Sequence, residues 1–522
     1  MPDTARRLYL ATFSFAKSRS SRPGKKLECR RCYDFGATVV GCVLERNPAQ
    51  RPTLFDTEAR GNSCTSGGGV SVHVKLKIPR ELFEKALVDL KRPHRFACER
   101  VGFFSTRCSR GPSITIVHCI DYHSLSDDHY IEDNFVGVRI GSSAITEAMS
   151  RCASNKVGQL HVHYHGGHGV PRPSHDDCRE LPLLARSLRH VDAEQAQGWA
   201  ILSADNTILF INEPGQSEDS PNMPLSLIGY PLTIQERADR RENIPYSVLH
   251  RLASGKSNRY TRQSFLGPDS ERIFSNAIVG IVGLGGGGSH ISQQLAHLGI
   301  VNYVLCDADR ITFTNLNRTV NATLFDVIFK RYKTDIAART IRRLHWNASI
   351  INHHAPWESA TDSLMQCDIV VGCVDTFSGR RDLEAFCRRH LIPYVDVGMD
   401  VQDLGDRREI MGQVILSMPG RPCMRCMGFL NDQVLAEEAR RYGDAGGRPQ
   451  VVWSNGVLCS AAVGVIVDLL TGWSKSKRDS IYLNFRGSDL SITDDPRLPY
   501  IENGDCLHYP LLQAGDPIFT TL

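Results

Sequence analysis

Ala277–Asp309 reads AIVGIVGLGGGGSHISQQLAHLGIVNYVLCDAD. It opens with an apolar run, Ile278–Val282, of the kind buried on both faces of a sheet. A glycine cluster follows from Gly283 through Gly285 and Gly286 to Gly288, then an apolar-periodic stretch ending at Gly299, then a second run, NYVLC. Strand, glycine turn, helix, strand is the unit that builds a doubly wound parallel sheet. The glycines let the backbone approach a phosphate closely, and the helix behind them offers unpaired N–H groups at its positive end. Alone, this pattern serves dinucleotide-dependent oxidoreductases at least as well as any other enzyme.

The residues downstream narrow the reading. Asp307 follows the glycines at the spacing of an acidic residue that holds ribose hydroxyls. Then come Asn315, Arg318 and Lys333. A hydride-transfer enzyme has no use for the Arg and the Lys, whereas cleaving an α–β phosphoanhydride needs positive charge on the departing pyrophosphate and a carboxylate for Mg²⁺. Buried-type strands recur at Asp368–Val374 and Pro393–Val397, and the first runs into Asp375, at the carboxyl edge where such sheets bind ligands. Asp375 is the candidate magnesium ligand, with helix capping as its structural alternative. Arg380 lies one helical turn further on.

These residues together resemble the ubiquitin-activating-enzyme superfamily, especially its ThiF/MoeB-like adenylyltransferases. The resemblance covers about residues 259–475 and includes the entry segment around Arg262 and the pair Cys423/Cys426. It implies a Rossmann-like domain over 259–522. It further implies that Arg262 reaches the ATP of a partner in a homodimer and that Asp307 binds ribose. Asn315, Arg318 and Lys333 would contact phosphates, and Asp375 would hold Mg²⁺. The implied reaction is adenylylation of the C-terminal glycine of a ubiquitin-like or sulfur-carrier protein. Two departures stand out. Cys423-x-x-Cys426 is half of a zinc site, and instead of a second such pair only Cys506 and His508 follow, so either a Cys₃His-like site forms or the zinc is lost. Residues 427–452 hold no cysteine for a thioester, and Cys459 falls in the apolar run Val457–Leu470, which reads as core.

From Val70 to Asn212 the texture is α+β. VSVHVKLKI alternates as a strand, PRELFEKALVDL has helical period, and strand-like runs follow at Ile114–Ile120, Phe135–Ile140 and Gln159–His165. Ala144–Ala153 reads as helix, and Trp199–Ile211 as two short strands about the turn at 204–206. His161, His163 and His165 share one face of their strand. Two imidazoles there, a carboxylate at Asp177 and a base at Glu99 would make a three-ligand zinc site with room for a water. This set, with Ser174, resembles the JAMM (MPN-plus) metalloproteases, which hydrolyse bonds after the terminal glycine of ubiquitin-like proteins. The resemblance spans about 70–212 and implies zinc on His163, His165 and Asp177, Glu99 as base and Ser174 at the oxyanion. The loop after His165 runs eight residues to Ser174, one longer than the commonest spacing, and Gly166 stands where Pro is usual, so His161/His163 remains an alternative pair. Ser174-x-x-Asp177 also reads as a helix-capping box, and His168 and His175 read as bystanders.

The whole chain has 522 residues, 41% hydrophobic and 23% charged, with 61 Lys+Arg against 57 Asp+Glu. A net charge of +4 is too balanced for a protein that coats nucleic acid. The 17 cysteines are too sparse for a disulfide scaffold and point to a reducing, cytoplasmic setting. No apolar run reaches the length of a membrane span, and Asp468 interrupts the best one. Residues 1–69, with 11 Lys/Arg and 4 Asp/Glu before residue 52, read as a disordered basic extension in which the Cys29/Cys32 pair is fortuitous. Residues 213–258 read as linker. The expected protein is therefore an α/β fusion using ATP, Mg²⁺ and Zn²⁺. The alternatives are a JAMM-type half that only docks the protein modifier, and an NAD-dependent oxidoreductase.

Overall fold

The computed structural model describes residues 73–112, 114–133, 137–204, 207–212, 220–221, 225–235, 258–403, 405–440, 450–501, 504 and 506–515. The basic extension with Cys29/Cys32 and much of the expected linker lie outside these.

The first sheet contains β1 (His73–Pro79), β2 (Val101–Arg110), β3 (Ile114–Ser124), β4 (Gly158–Tyr164), β5 (Gln197–Leu202), β6 (Thr207–Asn212), β7 (Ser220–Pro221), β8 (Leu225–Ile228) and β9 (Thr233–Gln235). Their order is β7-β6-β5-β4-β2-β3-β1-β8-β9. Three helices accompany it: α1 (Arg80–Leu90), α2 (Ser142–Asn155) and α3 (His175–Val191). Two expectations change. Residues 137–139 are not in a strand, and Ile140 makes only an isolated bridge to Tyr130. The expected linker contributes β8 and β9, and β8 pairs in parallel with β1. Its run Leu225–Ile228 is fully buried.

The second sheet contains β10 (Ile278–Val282), β11 (Asn302–Cys306), β12 (Ser349–His353), β13 (Ile369–Gly372), β14 (Tyr394–Asp403), β15 (Arg408–Ser417), β16 (Ile481–Arg486) and β17 (Ser491–Asp494). The order is β12-β11-β10-β13-β14-β15-β16-β17. Strands β10 to β14 are parallel, as expected, and β14 to β17 form an antiparallel extension. The order reverses between β10 and β13, which opens a crevice at their carboxyl ends. Helices of this half include α4 (Ser270–Asn276), α5 (Gly286–Leu298), α6 (Lys333–Leu344), α7 (Phe377–Arg389), α8 (Asp432–Arg440) and α9 (Val452–Thr471). At 20 residues α9 is longer than the expected Val457–Leu470, and by length and composition it could cross a membrane. Here its Leu458, Ala462, Ile466 and Leu470 join the core with β14 and β15 residues such as Val395 and Val414.

The two sheets share buried contacts. In β1, Val74, Leu76 and Ile78 enter the first core, as alternation predicts. The opposite face, which should meet water, carries Lys75 and Lys77, only 7% and 0% exposed. Lys75 Nζ lies 2.5 Å from Asp368 Oδ1. Lys77 Nζ donates to the carbonyls of Met365, Cys367 and His390 at 3.2, 3.2 and 3.0 Å. Ile114 and Ile116 of β3 pack in one cluster with Leu364 and Met365.

Candidate functional site

A cavity of about 290 Å³ sits at the carboxyl ends of β10, β11 and β13. The turn into α5 forms its floor, through Gly283, Gly285 and Gly286. Gly283 has φ +87°, and a side chain there would bring its Cβ 2.5 Å from Cys373 O, so only glycine fits. Gly288, expected beside the ligand, does not line the cavity. Its missing Cβ would lie 2.0 Å from Gly283 O, so its role is to let α5 close onto its own turn.

Asp307, Asn315, Arg318, Lys333, Asp375 and Arg380 all line the same cavity. Asp307 Oδ2 accepts from Leu284 N at 2.6 Å and Oδ1 from Asp309 N at 2.8 Å, which braces the carboxylate across the turn. Burial raises its pKa, opposed by Lys333. Lys333 stands at the start of α6, 9% exposed. Its Nζ is 2.6 Å from Asp309 Oδ2 and 4.0 Å from Asp307 Oδ1. Asp309 also lines the cavity and was not singled out from sequence, although it shares the Asp-Ala-Asp step with Asp307. Arg318 donates to Thr314 O at 2.9 Å and Asn317 Oδ1 at 3.0 Å. The Asn315 amide oxygen is occupied as a cap, accepting from Thr312 N and Oγ1, so only its NH₂ is left to face a ligand.

Asp375 is exposed and makes no ion pair among the described residues. The capping alternative for it is corrected. Thr376 is the N-cap of α7, accepting from Gly379 N, while Glu438 of α8 accepts from Phe377 N and Ser378 N at 2.8 and 2.9 Å. Arg380 is buried against Asp396 as an ion pair, and that carboxylate also accepts from Gln413 Nε2. It is thus a wall of the cavity held by its own counter-ion. Arg262 is exposed on a 3₁₀ stretch, Asn258–Leu266, and does not line the cavity of its own chain. Cys459 is 0% exposed, its thiol bonded to Gly287 O at 3.3 Å, and burial drives its pKa up. It is packing, not a nucleophile. Trp357, Cys373, Gln450 and Asn455 also line the cavity, and no local pattern marks them.

Cys423, Cys426, Cys506 and His508 converge although 80 residues separate the second and third. Sγ–Sγ distances are 3.6 Å (423–426) and 3.8 Å (426–506), and His508 Nδ1 is 3.5 and 3.2 Å from Cys423 and Cys426. Zinc at ~2.3 Å from sulfur and ~2.0 Å from nitrogen sets tetrahedral edges of ~3.5–3.8 Å. The donor set therefore fits a Cys₃His ion.

The second cluster lies on the first sheet. β2 runs antiparallel to β4 with Val101 opposite His163. Glu99 stands in the bend two residues before β2, and that pairing is how a residue 66 positions before His165 reaches the histidines. His163 Nε2 and His165 Nε2 are 3.1 Å apart. Asp177, from the first turn of α3, brings Oδ1 to 3.3 Å of His163 and Oδ2 to 3.5 Å of His165. Tetrahedral zinc bound to such atoms at ~2.0–2.1 Å spaces them ~3.3–3.4 Å apart; Asp177 approaches that spacing through a different oxygen for each imidazole, and Glu99 also offers an oxygen within 4.8 Å of both histidines. Glu99 Oε1 is 3.7 Å from His165 Nε2, and burial raises its pKa. Ser174 and Asp177 also form the capping box of α3, Asp177 N donating to Ser174 Oγ and Ser174 N to Asp177 Oδ2. The capping-box reading of that motif is thus observed. His161 is 4% exposed against Phe103, and burial pushes its pKa down to about 3, which leaves His163/His165 as the converging pair. His168 and His175 are exposed.

Residues 258–506 match the ThiF family. A molybdopterin-synthase adenylyltransferase of Escherichia coli is 27% identical over 239 residues, 44% of this chain and 89% of that one. A tRNA threonylcarbamoyladenosine dehydratase of Haemophilus influenzae is 28% identical over 134 residues, 25% of this chain and 51% of its own length. A sulfur carrier protein ThiS adenylyltransferase of E. coli is 28% identical over 134 residues, 25% of this chain and 53% of that one. This chain thus spans about half the length of the latter two.

Proposed function

With a ThiF-family segment over residues 258–506 as premise, we propose that this protein adenylylates the C-terminal glycine carboxylate of a ubiquitin-like or sulfur-carrier protein at the expense of ATP. One observation carries this: the glycine turn, Asp307, Arg318, Lys333 and Asp375, scattered over 93 residues from Gly283 to Asp375, line one cavity. Asp307 accepts from the ribose hydroxyls. The first turn of α5 receives phosphate oxygens on its N–H groups. A carboxylate oxygen of the acyl substrate attacks the α-phosphorus. A new P–O bond forms, the α–β anhydride bond breaks, and pyrophosphate leaves with the bonding pair. Lys333 turns from Asp309 to the leaving group, and Arg318 neutralises developing charge beside it. Asp375 would hold Mg²⁺, which when bound supplies positive charge to the phosphate oxygens. Arg262, exposed and away from its own cavity, serves the site of a second copy in a homodimer. With Cys459 buried, no thioester relay is included. Cys423, Cys426, Cys506 and His508 would hold a structural zinc that ties the chain near 425 to that near 507.

The first-sheet cluster extends this to tail processing by a JAMM-type peptidase. His163, His165 and Asp177 would hold zinc, which when bound supplies a Lewis acid and a nucleophilic water near neutral pH. Glu99 takes the proton of the attacking water and returns it to the departing amine. Ser174 keeps its hydroxyl hydrogen, because its oxygen is the acceptor in the cap, and donates it to the carbonyl oxygen. The freed glycine carboxylate is then the substrate of the second site. The competing reading is a docking domain without hydrolysis.

The test uses the purified chain, ATP, Mg²⁺ and carrier proteins ending in Gly-Gly, with and without a short C-terminal extension. ATP–pyrophosphate exchange that needs the free glycine carboxylate supports adenylylation. NAD binding without any exchange overturns it. Bound zinc together with trimming of the extension, lost in Glu99→Gln, separates peptidase from dock.

A further inference from the structure

The first turn of α9 reaches the nucleotide cavity beside the start of α5. Val451 precedes it without a side-chain cap. Asn455 lines the cavity. It is only 6% exposed, and its Nδ2 is buried with no hydrogen-bond partner among the described residues. That amide lies against the first residue of α5, since a Cβ on Gly286 would meet it at 2.3 Å and Gln450 Oε1 at 3.1 Å. Neighbouring polar groups have other partners. Asn455 N donates to Val451 O, Ser454 Oγ donates to Val451 O and contacts Met399 Sδ, and the Cys459 thiol donates to Gly287 O.

A buried donor left unpaired carries its full desolvation cost unless an acceptor arrives. An oxygen of a bound reactant is what this amide lacks. The chemistry of the site says which one. Adenylylation must hold two anions, the α-phosphate and the carboxylate, within reacting distance despite their repulsion. Two positive helix ends, of α5 and α9, flank Gly286 and can take one each. The glycine turn belongs to α5, so the phosphates belong there, and α9 is left for the carboxylate.

We propose that Asn455, with the first turn of α9, positions the acyl substrate: Nδ2 donates to an oxygen of the terminal glycine carboxylate while α5 holds the phosphates. This rests on the adenylylation reading above. It also gives the residues after the segment 441–449 a direct part in substrate recognition.

The full chain is titrated by calorimetry with two probes, AMP and 5′-O-(N-glycylsulfamoyl)adenosine. The acyl oxygen of the second stands where the carboxylate oxygen stands after transfer. The expected result for Asn455→Ala is AMP affinity within about twofold of wild type and acyl-analogue affinity about tenfold weaker. Asn455→Asp, which keeps the shape and replaces the donor by an anion, should weaken the analogue further. Equal weakening of both probes assigns the donor to the nucleotide and overturns the proposal, as does unchanged binding of both. A wild-type chain that binds AMP without preferring the acyl analogue overturns it while leaving the nucleotide site standing. A wild-type chain that binds neither probe removes the adenylylation reading, and this assignment with it.

Discussion

Adding one methyl at Gly288 and one at Gly285 should separate packing from ligand contact. At Gly288 the new Cβ would sit 2.0 Å from Gly283 O, 3.0 Å from Gly283 C and 3.2 Å from Ile281 Cγ2. An unstrained carbon–oxygen contact is ~3.3 Å, so α5 must withdraw from its turn by about 1 Å or more. The turn cannot yield instead, because Gly283 already holds φ +87° and its N–H is bonded to Cys306 O at 2.9 Å. Overpacking of this kind costs ~1–3 kcal/mol, which for a domain of this size lowers Tm by several degrees. The same shift moves the N–H groups of the phosphate cradle, and a 1 Å misplacement can cost ~10²-fold in rate. At Gly285 no atom lies within 4 Å of the added Cβ. Gly285→Ala should therefore lose less Tm than Gly288→Ala, yet lose ATP affinity because its methyl projects into the cavity. Thermal unfolding and ATP calorimetry on both variants decide the matter. Gly288→Ala with wild-type Tm and wild-type affinity would refute the packing argument, and Gly285→Ala melting below Gly288→Ala would refute the claim of open space.

Three further outcomes are expected. Lys333→Ala should lower kcat/KM for carrier-dependent pyrophosphate exchange ~10²–10³-fold, because the proposed reaction turns this cavity-lining cation from Asp309 to the leaving group; a loss under threefold would remove it from the chemistry. Cys506→Ser, or strong chelation, should release one zinc by metal analysis and lower Tm, whereas unchanged metal content would show that Cys423, Cys426 and His508 do not need it. Burial pushes the Lys77 ammonium down from 10.5 to about 7, with Lys75 adding to the shift. The unfolded chain then binds the extra proton between about pH 7 and 10.5, so the cost of burying this charge is full below 7 and relieved as pH rises through that window. The wild type should gain urea resistance from pH 7 to 9 relative to Lys77→Met, and identical pH profiles would contradict a buried, titrating Lys77.

The nucleotide half was legible because its signals are local. A glycine cluster between two apolar runs admits few backbones, and Asp307 and Asp375 stand at the ends of strands whose carboxyl edge is where ligands bind. Arg380 shows the limit: spacing placed it at the cavity, but only the fold shows it bound to Asp396. Asn455 gave no signal at all, since an Asn in an apolar helix acquires meaning only from the glycine turn it faces. Glu99 was named without any local support, and the β2–β4 register supplies it by carrying Glu99 to His165. Residues 137–139 of the expected run form no strand because apolar alternation says nothing about whether an edge is available to pair with.

The order of the residues alone determined the βαβ turn, the cations after it, and the histidines that share one face of β4, because each depends on neighbours within a helical turn or a strand's length. Tertiary structure decided the rest. Cys506 and His508 join a possible metal cluster only when the chain returns 80 residues later to Cys426. VSVHVKLKI has the alternation of a strand with one wet face, yet Lys75 and Lys77 lie dry against Asp368 and the carbonyls of Met365, Cys367 and His390. Periodicity reports which residues share a face, while what covers that face depends on contacts some 290 residues away in sequence.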